Sequence, residues 1–148
     1  MKKDKALKAI NGVFPVIGIG LVIYYNICDT SCSSLRGTFL SVDLKIIGIF
    51  FMAALLIMTL PPISRFKIPV GYLRTMMLAG AVGGEVLLIR FQIVHDTYCP
   101  FCLAFGVCIL ILFMANFMRM NRWLALGAFL AGIGAFFICF KGFVLPLY

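Results

Sequence analysis

Charged side chains are scarce in this sequence of 148 residues, in which Asp, Glu, Lys and Arg make up only 12% and hydrophobic residues make up 64%. A soluble domain usually carries about 25% charged residues. With a mean hydropathy of +1.12, the chain has too little polar surface to cover its apolar side chains in water. The scarcity of charge therefore excludes a soluble protein. The length allows a single domain of about five membrane-spanning helices of roughly 20 residues each.

Apolar runs and polar connectors predict an all-α integral membrane protein, with a four-helix transmembrane bundle plus a fifth transmembrane helix. We treat the first apolar run as a retained helix, because no small-residue cleavage site follows it. The second run stops at two prolines, which cannot continue a helix. The predicted single domain covers 1–148, with spans at 10–27, 46–60, 73–94, 99–117 and 123–140, an outer redox loop at 28–45 and a tail at 141–148.

Basic residues are distributed unevenly between the two sides of this topology. With the N-terminus inside, nine Lys and Arg residues fall on the inner side and four on the outer side. Such a bias favours a cytoplasmic N-terminus. The basic residues lie in short connectors and not along one helix face with aromatics, so no nucleic-acid partner is expected. We therefore expect a multi-pass protein of the inner cell membrane.

Cysteine is absent from every predicted cytoplasmic connector, although the sequence contains six cysteines. Cys28 and Cys32 fall in the first outer connector, and Cys99 and Cys102 open the fourth helix at its outer end. Thiols gathered on the oxidising side of a membrane suit disulfide chemistry. The sequence thus predicts two extracytoplasmic cysteine pairs.

The string YCPFC places Cys99 and Cys102 at a helix start, with a spacing that can close a small disulfide ring. The positive end of the helix dipole stabilises a thiolate there. Asp96 or Thr97 is the predicted N-cap, and Pro100 suits the first turn, where its missing N–H is not needed. No βαβ pattern surrounds the motif, so this redox pair belongs to a membrane helix. The alternative is a pair of small hydrophobic residues in a helix cap.

The second pair, Cys28 and Cys32, lies in a polar connector. A mobile loop pair can collect electrons outside and deliver them to the helix pair through a mixed disulfide. A static disulfide is the alternative for this pair, and a zinc site made by all four thiolates is the alternative for both pairs. We expect no metal, because the outer compartment is oxidising. Cys108 and Cys139 have no partner at short spacing and are predicted to be inert buried thiols.

Three further features belong to the predicted helices. Gly80 and Gly84 form a small-x-x-x-small ridge, which lets another helix approach closely. Glu85 falls near mid-membrane, where an ionisable group is costly and functional by default. It is either a neutral acid bonded to a neighbouring helix or a proton-handling group beside a ligand. Aromatic residues near Cys102, such as Phe105, are packing residues or line a pocket for a flat aromatic ligand.

The order of these features resembles the vitamin K epoxide reductase family in its bacterial and archaeal form. The matching strings are CDTSCSSLRGTFLSVDLKIIGI, which includes Gly48 early in the second helix, and DTYCPFCLAFG. The predicted spans also agree with the four-helix core and fifth helix of that family. Bacterial relatives often carry a fused thioredoxin-like domain, whereas this chain ends without one, so the resemblance implies a separate soluble partner.

The resemblance implies a membrane thiol:quinone oxidoreductase that generates disulfides. Cys28 would exchange with an extracytoplasmic thioredoxin-like, DsbA-like protein. Cys32 would then pass the electrons to Cys99, and Cys102 would react with a quinone such as ubiquinone or menaquinone bound in the helix bundle.

The predicted quinone contacts are Cys102, from the resemblance, together with Phe105 and Glu85, from their positions in the helices. In the family a tyrosine often follows the second cysteine of C-x-x-C by one turn, and here Gly106 occupies that position. Two alternatives from other classes remain open: a metal-binding or transport membrane protein that uses cysteines as soft ligands, and a small structural membrane subunit with one static disulfide.

Overall fold

The computed structural model describes residues 2–27, 35–60 and 67–144. Helices make up most of these ranges, as expected where lipid offers no partners for backbone N–H and C=O groups. The five helices of the described ranges are α1 Lys2–Ile27, α2 Leu44–Ile57, α3 Lys67–Val94, α4 Pro100–Phe117 and α5 Arg122–Cys139. The predicted all-α membrane fold is confirmed.

Four of these helices are long and apolar enough to cross a membrane, which fits a multi-pass membrane protein. They contain the segments Lys5–Tyr25, Val70–Val94, Pro100–Phe117 and Arg122–Cys139, close to four of the predicted spans. The helix α2 has 14 residues and is therefore about 21 Å long, shorter than a hydrocarbon core of roughly 30 Å. At the span predicted at 46–60, the structure therefore has a helix that is too short to cross the hydrocarbon core in a straight line. The two prolines after the predicted span lie outside the described residues.

Glycine residues bring α3 and α5 into close contact. A Cβ atom added at Gly83 would collide with the backbone oxygen of Phe129, and one added at Gly132 would collide with the backbone of Gly80. A Cβ at Gly84 would also meet an aromatic ring of α5. Backbone atoms cannot move aside as a side chain can, so Gly83 and Gly132 require glycine. Of the predicted ridge, Gly84 lies in this close contact, whereas a Cβ added at Gly80 would lie at an ordinary distance of 3.6 Å from the backbone oxygen of Ala128.

The bundle core lies among α1, α2, α3 and α4. In this part of the bundle α1 packs against α2 and α4, and α3 packs against α4. Met52 and Leu55 of α2, Leu78 of α3 and Leu112 of α4 are fully buried. A Cβ added at Gly18 of α1 would lie 2.9 Å from Cε of Met52. This glycine therefore lets the long methionine side chain fill the space between α1 and α2.

A buried amide pair joins α1 to α4. Asn11 Nδ2 donates to Asn116 Oδ1 over 3.2 Å, and Asn116 Nδ2 donates to Asn11 Oδ1 over 2.8 Å. Asn116 Nδ2 also donates to the backbone oxygen of Leu112 over 2.7 Å. Interhelical hydrogen bonds of this kind satisfy amides that would otherwise lie unpaired in an apolar bundle. The pair fixes the start of α1 against the end of α4.

A small antiparallel sheet lies at the opposite end of the bundle, where α1, α3 and α5 finish and α2 and α4 begin. We call this the sheet end. The strands, in the order β2-β1-β3, are β1 Leu35–Phe39, β2 Val42–Asp43 and β3 Phe140–Val144. Within the described residues, the predicted loop at 28–45 and the predicted tail at 141–148 thus contain strands.

The register of the sheet fixes the last strand beside the first. Thr38 pairs with Lys141 and Phe39 pairs with Phe140, and the ring of Phe140 lies close to Gly37. Because β3 follows α5 directly, this pairing ties α5 to the segment that follows the first cysteine pair. The sequence did not reveal it, since the two strands are about a hundred residues apart.

Candidate functional site

Cys99 is the N-cap residue of α4. Its backbone is extended, and its Sγ accepts a hydrogen bond from the backbone N–H of Cys102 over 3.4 Å. Pro100 occupies the first turn as predicted. The predicted caps Asp96 and Thr97 are wrong, because the turn continues beyond them and the sulfur itself takes the capping position. An N–H group aimed at Sγ stabilises a thiolate there.

Gln92 connects the end of α3 to the start of α4. Its Oε1 accepts a hydrogen bond from the backbone N–H of Cys99 over 3.1 Å, and its backbone oxygen accepts one from Thr97 over 3.1 Å. The side chain is 3% exposed. Between the helices, Asp96 has a φ of 48°, which Asp tolerates better than most residues. The sequence alone does not single out Gln92, since its role depends on how the chain turns back after α3.

A cavity of about 270 Å³ opens next to Cys102 within the bundle. It lies toward the sheet end, since residues of β1 and β3 also line it. Every helix contributes at least one aromatic side chain to its wall, among them Tyr25, Phe51, Phe91, Phe105 and Phe136. A space walled by rings on several sides suits a flat apolar ligand.

The cavity brings together the three residues that the sequence analysis grouped as ligand contacts. Cys102 and Phe105 reach it from α4, and Glu85 reaches it from α3. A Cβ added at Gly48 of α2 would lie 3.3 Å from Cζ of Phe105. The early glycine of the second helix therefore leaves room for the phenyl ring at the cavity wall.

Glu85 is buried between α3 and α4, with 9% of its surface exposed. A Cβ added at Gly106 would lie 2.9 Å from Glu85 Oε2, so the carboxyl group packs directly on the glycine. Among the described residues, this carboxyl makes no hydrogen bond or ion pair. The predicted bond from Glu85 to a neighbouring helix is thus absent among the described residues, and the carboxyl group lies beside the cavity.

Polar and aromatic residues surround the cavity at the sheet end. Lys45 lines it and lies over the ring of Tyr25, with Nζ 4.3 Å from the ring centroid. The rings of Tyr24 and Tyr25 are each centred 5.7 Å from that of Phe101. The last turns of α1 are therefore in contact with the first turn of α4, on which the C-x-x-C motif lies.

Among the described residues, Cys108 and Cys139 do not line the cavity. Cys28 and Cys32 lie outside the described residues. Cys108 is a buried free thiol in the bundle core, as predicted, whereas Cys139 is a free thiol that is partly exposed. Across 2–27, 35–60 and 67–144, no group of three or more His, Cys, Asp and Glu residues could hold a metal ion. The four-cysteine zinc alternative includes Cys28 and Cys32 and is untested by this result.

No protein-family model matches the chain, and no curated protein or solved structure matches it. The functional conclusion therefore rests on the cysteine motifs and on the geometry of this site.

Proposed function

We propose that the chain is a membrane thiol:quinone oxidoreductase that generates disulfides. Electrons from an extracytoplasmic thioredoxin-like, DsbA-like partner enter at Cys28 and Cys32, pass to Cys99 and Cys102, and leave on a quinone. This is the reaction of the vitamin K epoxide reductase family, which the sequence resembles in its bacterial and archaeal form.

One observation carries the proposal: Cys102 lines an aromatic-walled cavity while its partner Cys99 is only 1% exposed. The two thiols of one C-x-x-C motif thus have different surroundings. Cys102 can react with a molecule in the cavity, and Cys99 lies at the capped start of α4, where the backbone N–H of Cys102 stabilises its thiolate. Electron transfer from a dithiol to a bound acceptor needs one thiol that contacts the acceptor and one that exchanges with the donor disulfide. Cys102 and Cys99 are placed for these two roles.

The loop pair is close enough in the chain to reach the helix pair. Cys28 follows Tyr25 by three residues, and the ring of Tyr25 is centred 5.7 Å from that of Phe101, between the two helix cysteines. The helix α1 continues to Ile27, so the chain from Tyr25 to Cys28 spans less than the roughly 10 Å of three extended residues. Thiol exchange requires direct contact of sulfurs, and this reach permits it.

The electron path balances as a series of disulfide exchanges. A partner thiolate attacks Cys28 in the Cys28–Cys32 disulfide and releases the thiolate of Cys32. Cys32 attacks Cys99 in the Cys99–Cys102 disulfide and releases the thiolate of Cys102. The second partner thiol then attacks the partner sulfur bonded to Cys28 and releases Cys28, and Cys28 attacks Cys32 in the Cys32–Cys99 disulfide and releases Cys99. These steps leave an oxidised partner, a restored loop disulfide and a reduced helix pair.

The residues of the cavity fit a quinone head group. Its volume of about 270 Å³ is just below the range of roughly 300–1,000 Å³ typical of ligand pockets, which suits one ring. When bound, a quinone supplies a two-electron acceptor. Phe105 and the other aromatic side chains hold the ring and exclude water, and Glu85 lies beside it. The Cys99–Cys102 disulfide then forms again as two electrons and two protons leave the dithiol.

The orientation is part of the proposal. The bias of Lys and Arg toward one side supports a cytoplasmic N-terminus in the inner cell membrane. In that orientation the sheet end, with the cavity and the C-x-x-C motif, is extracytoplasmic. A membrane-impermeant thiol reagent applied to intact cells, after mild reduction, should then label Cys28 and Cys32 from outside.

Quinone reduction by the purified protein tests the function. The protein in detergent is supplied with a reduced thioredoxin-like partner and either ubiquinone or menaquinone, and both partner oxidation and quinone reduction are followed. We expect one quinone reduced for each partner disulfide formed. In Cys102→Ala, quinone reduction should fall to background, because no disulfide can form at the cavity.

Cys139→Ala is the matched control, since it also removes a thiol but lies outside the cavity. It should retain the activity of the wild-type chain. Activity that persists in Cys102→Ala would overturn the electron path. Stoichiometric metal in protein purified without added metal, together with no quinone reduction, would instead favour the metal-binding alternative.

A further inference from the structure

Two polar side chains on α3 line the cavity from one face of the helix. Glu85 and Gln92 are seven residues apart, which is close to two full turns, so both project in nearly the same direction. The rest of the α3 contribution is largely apolar or aromatic, such as Leu88 and Phe91. The wall that α3 contributes therefore has one polar group at each end of an apolar stretch.

The hydrogen bond to Cys99 determines what Gln92 offers to the cavity. A glutamine amide has one oxygen acceptor and an NH₂ group with two donors. Oε1 of Gln92 accepts from the backbone N–H of Cys99 over 3.1 Å. Within the described residues Nε2 makes no hydrogen bond, although the side chain is almost fully buried. The N–H groups are thus the part of this amide that remains for a molecule in the cavity.

Glu85 supplies a second donor if its carboxyl group is neutral. An isolated carboxylate in an apolar interior is strongly unfavourable, and such a group takes up a proton instead. The carboxyl of Glu85 makes no hydrogen bond or ion pair among the described residues. As a carboxylic acid it presents an O–H to the cavity, beside Gly106 and one helical turn beyond Cys102.

The separation of the two groups matches a quinone ring. Seven residues rise about 10.5 Å along a helix. The two carbonyl oxygens on opposite sides of a quinone ring are roughly 5 Å apart, and two hydrogen bonds of about 2.8 Å bring the total to roughly 11 Å. A ring held by both oxygens along α3 faces α4, from which Cys102 reaches the same cavity.

We propose that Glu85 and Gln92 hold the quinone by its two oxygens, and that Glu85 is the acid that protonates one of them. This inference rests on the proposed function and goes beyond it by assigning the proton path. The Cys99 and Cys102 thiols lose two electrons and two protons as their S–S bond forms, and the quinone gains two electrons and two protons. Glu85 gives its proton to one oxygen and takes up one of the protons released by the thiols.

Two substitutions at Glu85 separate its two roles. Glu85→Gln keeps an N–H donor of similar size but has no proton to transfer, so kcat for quinone reduction should fall about 100-fold with little change in KM. Glu85→Ala removes the donor as well, so KM for the quinone should also rise about tenfold. Gln92→Leu removes the amide donor, together with the acceptor for the Cys99 N–H, so it should mainly raise KM for the quinone.

Infrared difference spectroscopy gives a readout that does not depend on turnover. Adding quinone to the oxidised protein should shift the C=O stretching band of a protonated carboxylic acid, and this signal should be missing in Glu85→Gln. Asp96→Asn is the matched control: it also converts a carboxyl to an amide, at an exposed position with a φ that Asn adopts. It should retain both the band shift and the kinetics of the wild-type chain.

Oxidation of the reduced partner, measured without quinone, helps to distinguish a failure of the proposed function from a failure of the inference about Glu85. Without quinone, reduced partner should be oxidised stoichiometrically at the same rate by the wild-type chain, Glu85→Gln and Glu85→Ala. If the wild-type chain reduces no quinone, the proposed function itself is wrong. If it reduces quinone and both Glu85 variants match it in KM and kcat, only the inference about Glu85 is overturned. A band shift that persists in Glu85→Gln would also overturn the inference about Glu85, because another carboxylic acid would then be responding to the quinone.

Discussion

The backbone N–H of Cys102 donates a hydrogen bond to the sulfur of Cys99 over 3.4 Å, so one cysteine of the motif caps the helix on which the other lies. A residue at this position usually provides an oxygen from Ser, Thr, Asp or Asn. Here the capping atom is the sulfur that also takes part in the proposed exchange. The same hydrogen bond thus contributes to the start of α4 and to the chemistry of Cys99.

This double role predicts that two substitutions of Cys99 differ in stability but not in activity. Cys99→Ser keeps a capping atom, whereas Cys99→Ala loses it, which should lower the free energy of unfolding by about 1 kcal/mol. Both variants lose the disulfide partner of Cys102, so both should fail to reduce quinone. Denaturant unfolding in mixed micelles, followed by circular dichroism on reduced protein, measures the difference. Equal stability of the two variants would contradict the capping role.

Composition and hydropathy predicted the helices of this chain well, because the lipid requirement acts on every residue of a span. The start of α4 illustrates a limit. Asp96 and Thr97 are good capping residues by type, yet the hydrogen bonds from His95 to Phe91 and from Thr97 to Gln92 carry the turn past them. Local propensity alone could not show where the turn would end.

The contacts between distant segments were beyond prediction for a different reason. The pairing of β1 with β3, and the acceptance of the Cys99 N–H by Gln92, depend on how helices are arranged in space. Cys102, Phe105 and Glu85 were predicted to contact a ligand, but the cavity that all three line could not be predicted from the sequence. Gly106 had seemed a departure from a pattern, and the structure gives it a steric reason, since Glu85 occupies the adjoining space.

The α3–α5 contact predicts that two glycine substitutions have opposite consequences. In Gly83→Ala the new methyl group would meet backbone atoms of Phe129 and Ile133, so the helices must separate, and the free energy of unfolding should fall by about 1–3 kcal/mol. In Gly134→Ala, on the helix that faces Gly83, no atom lies within 4 Å of the new group. That variant should be unchanged or slightly more stable, since alanine favours helix. Unfolding in mixed micelles compares the two, and equal destabilisation would contradict the close approach.

The packing of Glu85 on Gly106 predicts a substitution that changes the site without unfolding the bundle. In Gly106→Ala the new Cβ would lie 2.9 Å from Glu85 Oε2, at the end of a flexible side chain that can move. The free energy of unfolding should therefore change by less than about 1 kcal/mol. The carboxyl group, however, must leave its place beside the cavity, so KM for the quinone should rise several-fold.

A double-mutant cycle shows whether that effect passes through the carboxyl group. In a Glu85→Ala background no carboxyl remains to be displaced, so adding Gly106→Ala should change KM no further. Residues in contact give non-additive effects, whereas independent ones add. If the two substitutions raise KM additively, the alanine at position 106 acts on the quinone directly, and the carboxyl of Glu85 is not what the glycine accommodates.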